Sequence, residues 1–283
     1  MIKVILVPLD GTDHSAAILH TALVVARRFD AHIKVVHVRG HTSEPYMFSS
    51  VPKAFRDEYL KMTNQEIDQV ADRIKQQFND FCAEAKIKKT RQVNTREVSA
   101  SLHLLEGNSQ SVLGHESRLA DVVAMSRPVK HRLGGSSVGE MHEQLMLNSG
   151  RPVMIVPPDW DAKRVDHAAI GWNDSVEASR TVSMTLPWLR KMKKVTVLGS
   201  KKREAQAGEL VAYLKSHGCK SDSYILSSRS SNVGKTMLKA CNRVGAEFLV
   251  VGGFSHTRTR QRLFGGVTSH LLANTNVITV MAH

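Results

Sequence analysis

The residues that could do chemistry lie close together near the end of the chain. Gly252 and Gly253 end an apolar run, Phe248 to Val251. A basic loop, His256 to Arg262, follows, and then the pair Gly265-Gly266. Glycines let backbone N–H groups approach an anion closely, and a helix N-terminus presents unpaired N–H groups to it. Arg258, Arg260 and Arg262 supply donors and charge for phosphate. The chemistry such a stretch offers is the cradling of an anion.

The flanking elements must hold this cradle. Phe248 to Val251 reads as a buried strand, Val267 to Ala273 as a short helix and Val277 to Val280 as another strand. The rest of the chain repeats the alternation. Ile2–Leu9, Ile33–Val38, Glu97–Leu105, Asp121–Met125 and Pro152–Val156 read as strands, with helical spacing between them. Asp13 or Ser15 can cap the first helix. The longest helical pattern, Lys53 to Ala85, places Tyr59, Met62, Ile67, Val70, Ile74 and Phe78 on its inner side. A second series follows: strands at His167–Trp172, Lys194–Leu198 and Ser223–Ser227, with helices through Arg190, over Glu204–His217 and over Val233–Val244. LADVVAMS (119–126) aligns with AEFLVVGG (246–253), and GRPVMIVP (150–157) with NTNVITVM (274–281). The chain is therefore read as a tandem repeat of an α/β unit with parallel sheets. The domains are 1–158 and 166–283, joined through Pro157 to Asp166.

These motifs carry a resemblance. Gly252-x2-Ser255-x9-Gly265-Gly266 is similar to the nucleotide-binding signature of the universal stress protein family, Gly-x2-Gly-x9-Gly followed by Ser or Thr. Ser255 stands where the second Gly belongs and Gly266 where the hydroxyl residue belongs, with Thr268 two residues on to supply the hydroxyl. SVEASRTVSMTLPWL (175–189), SNVGKTMLKACNRVGAEFLVVG (231–252) and SGRPVMIVP (149–157) extend the resemblance to tandem members of proteobacterial type. It implies two flavodoxin-like (Rossmann-like) domains, each a five-stranded parallel sheet of order 3-2-1-4-5 with helices on both faces. A ligand then sits at the switch point between strands 1 and 4.

The resemblance also implies site residues. An Asp at the end of strand 1 lies beside adenine and ribose. Asp10 matches it in the first half, and Asn173 stands there in the second. A backbone position at the end of strand 2 contacts adenine. This is Val38 in the first half and roughly Leu198 or Gly199 in the second. The phosphate loop falls in the second half, on Gly252, Ser255, Arg258, Gly265, Gly266 and Thr268. The first half has Ser126-Arg127-Pro128 after its fourth strand, with no early Gly and with a Pro that lacks an N–H. GGSSVG at 134–139 sits at the wrong distance, so the first phosphate loop is read as degenerate. The implied ligand is ATP or a related adenine nucleotide, with Mg2+ as its companion. The implied role is a cytoplasmic stress-response regulator, at most a slow ATPase. Its repeats pack as an intrachain pseudo-dimer near their fifth strands, with a further homodimer open to it.

Composition narrows the alternatives. No apolar stretch reaches 18 residues, so no transmembrane helix and no membrane partner are expected. Three dispersed cysteines without a CxxC fit a reduced compartment without disulfides or structural zinc. The net charge of +13 favours anionic partners, but it is spread along the chain with few aromatics, which argues against nucleic acid. The competing reading is a non-nucleotide interaction module whose basic surface binds an acidic protein or nucleic acid. Val233-Gly234-Lys235-Thr236 looks like the end of a P-loop, but Arg229 replaces the required first Gly. The fourteen histidines lack metal-ligand spacing, and Trp172 and Trp188 read as packing residues.

Overall fold

The buried apolar runs all pair into one sheet. The structure is a computed structural model and describes residues 1–12, 14–40, 52–93, 96–128, 140–161, 165–227, 232–253 and 266–283. The first half runs β1 (Val4–Pro8), α1 (Ser15–Phe29), β2 (His32–Arg39), α2 (Lys53–Ala85), β3 (Lys88–Lys89), β4 (Ser99–Glu106), α3 (Ser109–Ser117), β5 (Val122–Ser126), α4 (Glu140–Asn148) and β6 (Val153–Val156). The second runs β7 (His167–Gly171), α5 (Val176–Leu189), β8 (Lys194–Ser200), α6 (Glu204–Ser216), β9 (Ser221–Leu226), α7 (Val233–Val244), β10 (Phe248–Gly252), α8 (Gly266–Asn274) and β11 (Ile278–Ala282).

The strand order is β3-β4-β2-β1-β5-β6-β11-β10-β7-β8-β9. Leaving out the two-residue β3, each half has order 3-2-1-4-5 and is parallel throughout. The halves meet at one antiparallel pairing, β6 against β11, with Met154 opposite Val280. Both strands are buried along their whole length. Neither carries a charge or proline that would blunt a free edge. Side chains alternate between two cores. Ile5 and Val7 face α1, α2, α5 and α6, whereas Leu6 faces the side of α3, α4, α7 and α8.

The halves repeat one device at their sheet centres. Asp121, just before β5, accepts the N–H groups of Lys3 and Val4 at 2.6 and 2.9 Å. Glu247, just before β10, accepts those of Asp166 and His167 at 2.8 and 3.3 Å. A carboxylate thus satisfies amides at the start of each first strand. Asp121→Ala is expected to lower unfolding stability by about 2 kcal/mol, because two partly buried charge-assisted bonds are lost. Urea denaturation of the pair of proteins measures this.

Two local expectations differ. The α1 N-cap is His14, without a side-chain cap bond, and the Ser15 hydroxyl instead donates to the Thr12 carbonyl. Asp13 lies outside the described residues. In α2 the inner face starts late. Tyr59 and Met62 are exposed, while Ile74 and Phe78 are buried and Ile67 and Val70 partly so. A helix of 33 residues spans about 50 Å, longer than the strands it covers, so its periodicity continues past the end of the core.

Candidate functional site

In the second half, four short segments converge at the carboxyl end of the sheet. β7 ends at Gly171, and the Trp172 N–H still bonds the Leu198 carbonyl at 3.0 Å. The Asn173 side-chain oxygen then accepts the Ser175 N–H at 3.3 Å, which turns the chain. Asp174 takes a positive φ of 58° in that turn. Ser175 caps α5, its hydroxyl oxygen accepting the Ala178 N–H at 3.2 Å.

β10 ends at Gly252, directly under the first turn of α5. A Cβ on Gly252 would lie 2.5 Å from the Ala178 nitrogen and 2.9 Å from the Glu177 carbonyl carbon. The first glycine of the motif is therefore required by helix packing. A Cβ on Gly266, the first residue of α8, meets nothing described within 4 Å. On the far side, Asn232 caps α7 by accepting the Lys235 N–H at 2.8 Å. Its amide also lies 3.1 Å from the Nδ1 of His270 on α8.

Between these segments lies a cleft of about 830 Å3, within the range of small-molecule sites. Asn173, Gly252, Gly266 and Thr268 all line it. Ser255, Arg258 and Gly265 lie outside the described residues, as do Arg260 and Arg262. Three helix N-termini border the cleft, at Ser175 of α5, Asn232 of α7 and Gly266 of α8. Arg203 adds a cation, and Asp174 is the lone described carboxylate on the wall. Aligned helix N-termini and a guanidinium favour an anion.

Ser200, Arg203 and Asn232 were not anticipated from sequence. The run Lys201-Lys202-Arg203 directly after a strand was the available signal for Arg203. Strand register also moves the equivalent of Val38. Leu9 N–H bonds Val36 carbonyl at 2.9 Å as Trp172 N–H bonds Leu198 carbonyl at 3.0 Å, so Val38 corresponds to Ser200 rather than to Leu198 or Gly199. Gly199 turns to the other face, where a Cβ would lie 2.8 Å from the Ala207 Cβ. Trp172 both packs on the core and borders the cleft.

The first half arranges the same corner differently. Asp10 is exposed at the end of β1, its oxygen accepting the Thr12 N–H at 3.0 Å and hydroxyl at 2.8 Å. Val38 is half-buried in β2. After β5, the Arg127 N–H donates to the Val156 carbonyl at 2.7 Å, as the Gly253 N–H does to the Ala282 carbonyl at 2.9 Å after β10, and the Arg127 guanidinium donates to the Thr275 carbonyl at 3.2 Å. Pro128 has no N–H. His142 is the third residue of α4, as Thr268 is of α8. Its Nε2 donates to the Ser126 carbonyl at 2.6 Å. Burial lowers the pKa of this imidazole from its usual value, which favours the neutral ring. Among the described residues, Pro128 offers no N–H here and the His142 ring is engaged.

No nucleophile or metal centre competes with this reading among the described residues. Burial pushes Cys82 up to about 11 and Cys241 up to about 12, so both stay thiols at neutral pH. No group of three His, Cys, Asp or Glu side chains is placed to hold a metal. No described helix is long and apolar enough to cross a membrane.

A family model described as the universal stress protein family matches residues 1–157. No curated protein matches the chain. Among solved structures, a universal stress protein from Archaeoglobus fulgidus DSM 4304 superposes with a TM-score of 0.69 at 15% identity, over 99% of this chain and 97% of that one. A functionally unknown protein from Pseudomonas aeruginosa PAO1 does so with a TM-score of 0.57 at 12% identity, over 99% and 92%. At such identities the likeness is one of fold.

Proposed function

We propose, from the premise that this chain belongs to the universal stress protein family, that it is a tandem stress-response regulator binding ATP or a related adenine nucleotide in its second half. The observation that carries this reading is the cleft at the switch point between β7 and β10, bordered by three helix N-termini. Base and ribose would lie by Asn173 and Ser200, and phosphates by Gly266 and Thr268. Mg2+ would be held by phosphates and water, since among the described residues the cleft offers the single carboxylate of Asp174. The first half, with Pro128 lacking an N–H and His142 bonded to the Ser126 carbonyl, would serve as an intrachain partner. Nucleotide would act by changing conformation or partner, with turnover at most slow. The cytoplasm is the compartment proposed.

A thermal-melt titration with ATP, ADP, AMP and cyclic AMP tests this, with mass spectrometry of nucleotide released on denaturation. Ligand at a hundred times its Kd stabilises by about 2.7 kcal/mol, or about 5–10 °C for a fold of this size. Gly266→Asp is expected to abolish the shift by placing a carboxylate where phosphate would sit. The variant itself should melt no lower than the parent, because its Cβ meets nothing described within 4 Å and an acid suits a helix start. Asp10→Asn should leave the shift intact. No shift with any nucleotide, and none released, would sink the reading.

A further inference from the structure

The groove between α7 and β9 adjoins the cleft at Leu226 but is lined otherwise by different residues. Among the described residues β9 ends the sheet, with β8 as its only neighbour. Lys235, Lys239 and Arg243 stand along one side of α7 at four-residue intervals, all exposed. Together with Tyr224, Leu226 and Ala240 they line a groove of about 410 Å3. Leu226 and Ala240 add apolar surface, and one wall is cationic. α7 contains no acidic residue. Asp222, at the start of β9, is taken by Lys194 at 2.8 Å and by Thr196 at 2.7 Å. The Arg243 guanidinium donates to the Tyr224 hydroxyl at 3.0 Å, which fixes that end of the row. Among the described residues, neither Lys235 nor Lys239 forms an ion pair.

We propose that this groove binds an extended peptide carrying carboxylates at alternate residues, added to the sheet beside β9. An open edge strand supplies backbone donors and acceptors for strand addition, and the neighbouring helix supplies side-chain specificity. The spacings agree. Cations four residues apart on a helix are separated by about 6 Å. Alternate residues of a strand lie about 6.7 Å apart on one face. A peptide paired to β9 would present every second side chain to α7, and carboxylates there would meet Lys235, Lys239 and Arg243 in turn. Leu226 and Ala240 offer apolar surface for short aliphatic stems between them. The inference does not rest on nucleotide binding.

The test is fluorescence anisotropy of a labelled ten-residue peptide with Asp or Glu at every second position. Controls are a peptide of the same composition with its acids in one block, and two versions N-methylated on the odd or the even backbone amides. The alternating peptide is expected to bind at least tenfold tighter than the block peptide. One methylated set should lose at least tenfold and the other little, because alternate amides face the edge. Lys235→Glu with Lys239→Glu, and the neutral pair Lys235→Gln with Lys239→Gln, should each weaken binding at least tenfold. Equal binding of both methylated sets would overturn strand addition. Tighter, competing binding of an oligothymidylate of equal charge would assign the groove to phosphates instead, and the proposal would fall. So would binding indifferent to the lysine variants.

Discussion

Gly252→Ala is expected to destabilise the protein by about 3 kcal/mol, lowering its Tm by about 6–12 °C, and to remove any nucleotide-dependent shift with it. The reason is the identity of the atoms a methyl would meet. They are the Ala178 nitrogen at 2.5 Å and the Glu177 carbonyl carbon at 2.9 Å, both backbone of the first turn of α5. That turn is held by the Ser175 cap and cannot rotate aside as a side chain can. Gly171 gives a useful contrast. A Cβ there meets the Met237 thioether at 3.0 Å, which is flexible, and a Val251 methyl at 2.8 Å. Gly266 gives a sharper one, since a Cβ there meets nothing described within 4 Å, and Gly→Ala at such a helix start gains about 0.5 kcal/mol through the unfolded chain. Two glycines of one motif therefore carry opposite predicted signs. Differential scanning calorimetry of the two single variants decides between them. A Gly252→Ala protein as stable as the parent would mean that α5 slides, and that this glycine serves the ligand instead of the helix.

The contrast explains how much of the site could be read from residues alone. The spacing of Gly252, Gly266 and Thr268 brings them together because strand, loop and helix are consecutive. Asn173 joins them through the repeat. Spacing cannot say why Gly252 is glycine, since the helix that demands it begins more than seventy residues earlier in the chain. Ser200, Arg203 and Asn232 were hidden for a related reason. They enter the cleft only because β8 and α7 neighbour β7 and β10, and sequence periodicity does not encode that adjacency. The strands themselves were legible because parallel strands buried on both faces read as short apolar runs. Tyr59 and Met62 were misplaced by the same kind of reasoning. Helical periodicity marks a face, but it does not mark where the partner layer ends. The cationic row of α7 shows a third limit. Lys235 drew notice as a P-loop fragment, whereas its partners are Lys239 and Arg243, one and two turns along the same helix.

Acid is expected to weaken the fold well before its carboxylates protonate, with His32 among the contributors. His32 begins β2 and is 2% exposed. Its Nδ1 and Nε2 each lie 2.9 Å from a serine hydroxyl, Ser99 and Ser101, and Ser101 is shared with His103. Burial, followed by the nearby His103 and Lys34, lowers its pKa from 6.5 to about 4. The folded ring thus stays neutral where the unfolded ring takes up a proton. Between pH 6.5 and 4 the unfolded state binds more protons, so stability rises with pH across that window and is lost as pH falls through it. The loss from this group is about 3 kcal/mol. His103, His142 and His167 are shifted in the same direction and add to it. Asp222, lowered from 3.8, acts only below that window. Urea unfolding at pH 7 and pH 4.5 measures the effect. His32→Gln keeps an amide for the serines but cannot titrate. It should be less stable than the parent at pH 7 and lose about 2 kcal/mol less on going to pH 4.5. Equal losses in the two proteins would place the acid sensitivity elsewhere, and the pair Ser99 and Ser101 would then be holding a histidine that the fold tolerates in either state.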